Sequence, residues 1–305
     1  MTVQLDEIIA GARAQNARDI GRLLSRVEDG DPQLPTILTA LADAAGHAQV
    51  IGITGAPGVG KSTTTSALIK ALRAQGKRVG VLAVDPSSPF SGGALLGDRV
   101  RMQEHATDPG VFIRSMASRG HLGGLARSTG QAIRVLDAAG FDVVLIETVG
   151  VGQSEVDIAS SADTTLVLVA PGMGDGIQAA KAGILEIGDV IVVNKADRDG
   201  ADQTARELRA MIQLDTDATW PVPVIPIVAT TSQGLDELLT AIAEHATWLT
   251  ETGEGHRRRL NRARNEIEAI AISRMRATID DAKLTELAEA SLAGTIDPYA
   301  AADQL

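Results

Sequence analysis

The chain has 305 residues, enough for one large domain or two modest ones, and its scarce aromatic residues (2%) imply a core of alanine, valine, leucine and isoleucine. Its formal net charge of −11 argues against broad binding to nucleic acids or anionic membranes, and the lack of cysteine excludes disulfides and thiolate metal sites. Because the sequence shows no signal-peptide layout and no run of about eighteen apolar residues, we expect a soluble cytoplasmic protein.

The first 47 residues carry apolar side chains at helical spacing, and a break at residues 29–32 separates two helical stretches. We therefore predict an N-terminal helical segment, 1–47. After residue 251 no strand pattern returns, so 251–305 is predicted to be a C-terminal helical extension. The basic run at 257–264 is expected to be a solvated helix face or a dimer contact.

Between these two segments, short apolar runs alternate with helical stretches. The expected strands are 49–54, 78–84, 111–116, 142–147, 164–170, 190–194 and 223–229, and the expected helices are 61–75, 125–139, 198–213 and 234–248. The interior runs lack polar alternation, which is typical of strands covered on both faces. The pattern predicts an α/β domain, 48–250, with a doubly wound, mostly parallel sheet.

A phosphate-binding motif follows the first expected strand. GAPGVGKST matches G-x-x-x-x-G-K-[ST] and leads into a helical pattern, which predicts a P-loop NTPase. Its glycines let backbone N–H groups turn toward a phosphate, and the helix N-terminus adds partial positive charge. Lys61 is expected to reach the outer phosphates and Ser62 to ligate magnesium. The predicted contacts of this loop are Gly55, Ala56, Pro57, Gly58, Val59, Gly60, Lys61, Ser62 and Thr63.

A second motif, NKAD at residues 194–197, follows another expected strand and indicates which base is bound. The Asp197 carboxylate can accept both N–H groups on the edge of guanine, a paired contact that adenine does not offer. Asn194 would tie this loop to the phosphate loop, and the Lys195 stem would lie along the base. A third base contact is expected near Ala229 and Thr230, after the last strand.

Three acidic residues are candidates for the metal and the hydrolytic water. Asp85 ends the second strand, Asp98 follows a Ser/Gly-rich loop, and Glu147 ends the strand expected beside the phosphate loop. Glu147 is one methylene longer than the aspartate common there, so it suits holding a water. The simpler reading of each acid is a helix cap or a solvated charge. The predicted metal ligands are Ser62, Asp85 and Asp98, and the predicted catalytic residues are Lys61, Glu147 and Asp98.

Val151 stands where many nucleotide hydrolases carry a water-positioning glutamine, and the nearest glutamine is Gln153. We therefore expect slow intrinsic hydrolysis that a partner protein raises.

Six stretches together resemble one family. GAPGVGKST, VDPSSPFSGGALLGDRVRM, ETVGVGQSE, PGMGDGIQAAKAGILEIGD, NKAD and GTIDPYAAADQL are similar to motifs of the methylmalonyl-CoA mutase-associated G proteins, the MeaB/ArgK type, to which the human MMAA protein is similar. The resemblance runs from about residue 20 to the last residue. The family also has ETVG in place of the usual D-x-x-G.

The resemblance implies a homodimeric GTPase of the SIMIBI class, with Mg²⁺ and GTP or GDP at its site. Such a protein would be a chaperone that gates adenosylcobalamin loading into a mutase and protects that mutase from inactivation. It also implies a third switch at residues 172–183, where Asp175, Gln178 and Lys181 would couple the nucleotide state to the mutase. No histidine here lies in the cobalt-ligating D-x-H-x-x-G pattern, so we expect the cobalamin to sit on the partner.

Two other functions fit parts of the sequence. An ATPase or kinase linked to basic amino-acid transport is an older description of ArgK-like sequences, and the NKAD motif argues against ATP. A GTPase that inserts nickel would call for a cluster of cysteine and histidine, and the chain has no cysteine.

Overall fold

The computed structural model describes residues 2–86, 103–105, 107–118, 124–148, 160–172, 187–214 and 219–305. The chain divides into two compact units, residues 1–262 and residues 263–305, and the boundary falls within a long helix near the C-terminus. The domain boundaries expected at residues 47 and 250 stay a prediction.

Strands and helices alternate through the first unit. The strands are β1 (Gln49–Gly55), β2 (Val79–Pro86), β3 (Val111–Ser118), β4 (Val143–Thr148), β5 (Thr164–Val169), β6 (Val190–Asn194) and β7 (Val224–Ile227). The α-helices are α1 (Thr2–Arg13), α2 (Ala17–Asp29), α3 (Leu34–Leu41), α4 (Lys61–Ala74), α5 (Gly124–Ala138), α6 (Ala201–Ile212), α7 (Leu235–Glu251), α8 (Glu254–Thr278), α9 (Asp281–Leu292) and α10 (Pro298–Ala302). None of these described helices combines the length and the apolar composition needed to cross a bilayer.

The strands form one parallel sheet in the order β3-β2-β4-β1-β5-β6-β7. Along β1, Ile51 and Ile53 pack with helices α4 and α7, whereas Val50 packs with α5 and the N-terminal helices. Both faces are therefore covered, which explains why the strands lack polar alternation. The predicted fold class, a doubly wound α/β sheet with helical extensions at both ends, is confirmed.

The N-terminal helices cover one face of the sheet. Leu24 of α2 and Ile37 of α3 are fully buried and share a hydrophobic cluster with Val144 and Ile146 of β4. The chain turns between α1 and α2, where the Asn16 side chain caps α2 by accepting hydrogen bonds from two backbone N–H groups. The apolar spacing had not indicated this turn.

Two buried aspartates lie at the amino edge of the sheet, each just before a strand. Asp163 precedes β5 and accepts a hydrogen bond from Val50 N at 3.0 Å. Asp189 precedes β6 and accepts one from Thr165 N at 2.8 Å. Each carboxylate therefore satisfies a buried N–H group of a neighbouring strand.

The beginning of α8 brings arginines to these two aspartates. Arg258 donates two hydrogen bonds, both of 2.9 Å, to the carboxylate of Asp189, and Arg262 donates one of 2.6 Å to Asp163. His245 Nε2 also lies 3.2 Å from Asp189 Oδ1. Burial raises the pKa of Asp189, but His245 and Arg258 lower it by more, so this pKa lies below its ordinary value. The solvated face expected for the basic run is therefore wrong for Arg258 and Arg262.

The second unit, residues 263–305, is helical. Over its whole length α8 has no buried residue, and Ile267, Ile272 and Met275 are 67%, 58% and 69% exposed. Helices α9 and α10 pack on each other through the buried side chains of Leu287 and Ala301. The long helix therefore presents apolar side chains to solvent.

Candidate functional site

The phosphate loop connects β1 to α4 at the carboxyl edge of the sheet. Gly60 lies at the N-cap of α4 with φ 97°, and α4 begins at Lys61. Ile53 of β1 pairs with Glu147 of β4, and the two parallel strands end at the same edge of the sheet, so Glu147 lies beside the start of the loop. The loop, the helix N-terminus and a glutamate are thus brought together, as the sequence predicts.

Two glycines of the loop allow close approaches that no other residue permits. Gly55 has φ 141°, and a Cβ there would lie 2.2 Å from the backbone oxygen of Leu168. A Cβ on Gly60 would lie 2.3 Å from Asn194 Nδ2. A side chain at either position would displace the neighbouring strand or the asparagine.

The Lys61 ammonium is held by the loop that precedes it. Its Nζ donates to Gly55 O at 2.6 Å and to Ala56 O at 3.1 Å, and the residue is only 7% exposed. Phosphate oxygens in the loop would offer charged acceptors to the same ammonium, and such hydrogen bonds are stronger than those to neutral carbonyls.

The buried carboxylate of Glu147 is bound by two hydroxyls of α4. Ser62 Oγ donates to Glu147 Oε1 at 2.6 Å, and Thr65 Oγ1 lies 2.7 Å from Glu147 Oε2. Sequence reasoning did not single out Thr65. The signal was available, because residues three apart on a helix lie on the same face.

Asn194 joins three loops at the same edge. Its Nδ2 donates to Val59 O at 2.8 Å, and its Oδ1 accepts from Lys195 N at 2.8 Å and from Ala229 N at 3.2 Å. Lys195 has φ 60°, and its Nζ donates to Gly58 O at 2.6 Å. Hydrogen bonds from Asn194 and Lys195 therefore connect the NKAD loop to the phosphate loop and to the loop after β7.

The remaining predicted nucleotide contacts differ in exposure. Asp197 and Thr230 are exposed, as are Pro57 and Thr63 of the phosphate loop, whereas Ala229 is buried. An exposed carboxylate next to the Asn194 junction suits recognition of a base that arrives from solvent.

The predicted metal site is described only in part. Of the predicted ligands the structure describes the Ser62 side chain, whose hydroxyl oxygen is of the hard type that Mg²⁺ prefers, so this donor fits the ion. Within the described residues no cluster of three acidic or histidine side chains forms a metal site. The predictions that lie outside the described residues are the Asp85 side chain, Asp98, Val151, Gln153, Asp175, Gln178 and Lys181.

Comparison with known proteins identifies the family. Residues 20–283 match the family model of the methylmalonyl-CoA mutase-associated GTPase MeaB. The chain belongs to the MeaB family. The family resemblance predicted from the motifs is therefore confirmed.

Several relatives of this MeaB-family chain are named as GTPases. A Pyrococcus abyssi protein is 46% identical over 99% of this chain and 95% of its own length. GTPase ArgK of Escherichia coli is 38% identical over 82% of this chain and 78% of its own length. The mouse protein named methylmalonic aciduria type A homolog, mitochondrial, is 40% identical over 67% of this chain and 50% of its own length.

A solved structure supports the same assignment. The crystal structure of an LAO/AO transport system kinase superposes with a TM-score of 0.73 at 27% identity, covering 100% of this chain and 97% of that one. Together with the family match, this fold makes the MeaB-family chain a P-loop GTPase, which confirms the predicted enzyme class.

Proposed function

We propose that this MeaB-family GTPase binds and hydrolyses GTP to gate adenosylcobalamin loading into methylmalonyl-CoA mutase, or a related acyl-CoA mutase, and to protect that mutase. The observation that carries the proposal is the family match over residues 20–283. The mouse relative, named methylmalonic aciduria type A homolog, points to the same biochemistry. In this proposal the cobalamin is held by the mutase.

The site residues take the roles expected from their positions. Residues 55–63 would wrap the phosphates, with the Lys61 ammonium moving from its loop carbonyls to the outer phosphate oxygens. Ser62 would hold Mg²⁺ together with Asp85 and Asp98, and the ion would neutralise charge on the outer phosphates. Glu147 would accept a hydrogen bond from the attacking water and so orient it.

Guanine recognition is assigned to Asp197. An Asp197→Asn variant keeps one acceptor but turns an N–H donor toward the guanine edge, so we expect the preference for GTP over ATP to fall about tenfold to a hundredfold. The measurement is kcat/KM for both nucleotides. Asp199→Asn, another exposed loop acid two residues further on, is the matched control. An unchanged GTP/ATP ratio in Asp197→Asn would place base recognition elsewhere.

Amino-acid transport is the second candidate, because the solved relative is described as an LAO/AO transport system kinase. That function predicts a preference for ATP. The metal-insertion alternative predicts that nickel changes the GTPase rate, and the chain offers no cysteine ligand for nickel.

One assay separates the three functions. Hydrolysis of GTP and of ATP is measured for the chain alone, with Ni²⁺, and with methylmalonyl-CoA mutase from the same organism. We expect GTP to be preferred and the mutase to raise kcat by about tenfold or more, since partner proteins supply missing catalytic groups to slow GTPases. A preference for ATP, or a rate that only nickel changes, would refute the proposal.

Coupling to the mutase is assigned to residues 172–183. Lys181→Ala is expected to keep the basal GTPase rate and to lose most of the stimulation by mutase. A proportional loss in both assays would instead make Lys181 an ordinary active-site residue.

Self-association is assigned to α8, where Ile267, Ile272 and Met275 are exposed. We propose that a second copy of the chain covers this apolar surface. Light scattering should give twice the mass of one chain for the wild type and the mass of one chain for the double variant Ile267→Glu/Met275→Glu. Ala277→Glu, an exposed change on the opposite side of the same helix, is the control. A monomeric wild type would contradict the proposal.

A further inference from the structure

Both oxygens of the Glu147 carboxylate are bound by hydroxyls of one helix. Ser62 contacts Oε1 at 2.6 Å, and Thr65 contacts Oε2 at 2.7 Å. Glu147 is 2% exposed and Thr65 is fully buried, so bulk water does not reach the Thr65 contact easily. Two contacts from a single rigid element fix the plane of a carboxylate, which one contact alone does not do.

The Thr65 hydroxyl has one proton and two acceptors within reach. Its Oγ1 lies 3.0 Å from Lys61 O and 2.7 Å from Glu147 Oε2. The carboxylate is the closer and the charged acceptor, so it forms the stronger hydrogen bond. Threonine has two preferred χ1 rotamers in a helix, and the one observed here places Oγ1 within reach of both Lys61 O and Glu147 Oε2.

Ser62 and Thr65 each bind a different oxygen of the Glu147 carboxylate. A serine hydroxyl can give its proton to Oε1 while its lone pairs ligate a cation, so the Ser62 contact also depends on what occupies the site. Thr65 is not a predicted ligand of the cation, and its Oγ1 also lies 3.0 Å from the Lys61 backbone oxygen. The Thr65 contact to Glu147 therefore involves no group that is predicted to ligate the cation.

We propose that Thr65 is the positioning residue for Glu147 in GTP hydrolysis. It holds Oε2 against helix α4 and so sets the orientation in which the carboxylate meets the water that attacks the outer phosphate. This inference rests on the proposed hydrolytic role of Glu147. It requires no partner protein, since both residues belong to this chain.

The decisive variant is Thr65→Val, which keeps the shape of the side chain and removes the hydroxyl. We expect kcat for intrinsic GTP hydrolysis to fall about tenfold, because a misplaced catalytic group loses orientation, while KM changes less than about twofold. The affinity for a fluorescent GDP analogue, measured in EDTA, should stay at the wild-type value. Thr65→Ser restores the hydroxyl and should restore kcat.

Thr64→Val is the matched control. Thr64 is equally buried and bonds Gly60 O at 3.0 Å, the same backbone pattern one residue earlier, without a contact to Glu147. The kcat of Thr64→Val is expected to stay near that of the wild type. If Thr65→Val does not fold, Thr65→Cys replaces it, because the thiol is a much weaker donor.

The outcomes separate this inference from the role on which it rests. Wild-type kcat in Thr65→Val, or equal losses in Thr65→Val and Thr64→Val, would overturn the positioning role. If Glu147→Gln hydrolyses GTP normally, the hydrolytic role of Glu147 itself fails. When Thr65 acts through Glu147, Thr65→Val causes no further loss of kcat in the Glu147→Gln background.

Discussion

The ion pair between Arg258 and Asp189 allows a quantitative test of how α8 is fastened to the sheet. Arg258→Met keeps much of the aliphatic stem and removes the two 2.9 Å hydrogen bonds to the carboxylate. Removing one partner of a buried pair typically costs about 3–5 kcal/mol, because the other charge is left buried and unpaired.

The structure sets the expected cost below that range. The Asp189 side chain is 8% exposed, but that of Arg258 is 29% exposed, so water reaches the pair from one side. The Thr165 N–H also remains bonded to the carboxylate at 2.8 Å. We expect the free energy of unfolding to fall by about 2–3 kcal/mol, which lowers Tm by about 4–12 °C for a unit of this size.

Thermal unfolding of the nucleotide-free chain by circular dichroism at pH 7 measures the effect. Arg257→Ala is the control, because among the described residues the Arg257 side chain pairs only with Glu254 on the same helix, and it is 68% exposed; the Tm of this variant should not change. Asp189→Asn in the Arg258→Met background should recover part of the loss, since it removes a buried charge that has lost its arginine. An Arg258→Met variant as stable as the wild type would refute the reasoning.

The same pair predicts a pH dependence. The folded pKa of Asp189 lies below its ordinary value, so its ionised form stabilises the fold above about pH 4, and this contribution is lost as the pH falls through the folded pKa. Removing Arg258 removes a positive charge that favours ionised Asp189, while Asp189 stays buried. The pKa of Asp189 in the folded protein therefore rises. Acid unfolding of Arg258→Met should therefore begin at a higher pH than that of the wild type.

Two further predictions concern backbone and loop contacts. Gly60→Ala would place a Cβ 2.3 Å from Asn194 Nδ2, whereas a Cβ at Gly58 (φ 81°) meets no described atom within 4 Å. Gly58→Ala should therefore lower the free energy of unfolding by about 1–2 kcal/mol, the cost of a left-handed backbone at alanine, and Gly60→Ala should lower it further. Equal Tm values for the two variants without nucleotide would contradict this. Asp137→Ala removes the acceptor for N–H groups of residues 46–48, among them Ala48 at 2.9 Å, and should cost about 2–4 kcal/mol in urea unfolding, with Asp137→Asn milder. An Asp137→Ala variant of wild-type stability would show that water replaces the carboxylate.

The sequence predicted the strands well wherever both faces are buried. The run predicted at 190–194 is the observed β6, Val190–Asn194, because the whole run is apolar up to the asparagine. The last strand was predicted at 223–229 but covers Val224–Ile227. Beyond it, Val228 forms an isolated bridge with Gln233, and Ala229 N donates to the side-chain oxygen of Asn194, so these contacts replace strand pairing with β6.

The sequence predicted less where partners are far apart along the chain. Arg258 belongs to a basic run that reads as solvated, and its partner Asp189 lies 69 residues earlier. Thr65 reads as one more small polar residue of a helix, and its partner Glu147 lies 82 residues later. Spacing within α4 indicates only that Thr65 shares a helix face with Ser62, and it does not identify Glu147 or Asp189 as partners, since only the topology of the sheet brings the segments together. The phosphate loop was predictable because its motif and its fold are local.

The two edges of the sheet can therefore be tested separately. Asp189 precedes β6 and Asn194 ends it, and the strand has 5 residues, which places the two edges about 17 Å apart. At that distance two unit charges interact by about 1 kcal/mol at an effective dielectric constant of 20, and by less where salt screens the partly exposed Arg258, so losing its charge has at most a small effect at the nucleotide. Arg258→Met should thus lower stability and leave intrinsic kcat unchanged well below its Tm. A fall in kcat at such a temperature would mean that packing along the strand, rather than charge, links α8 to the site.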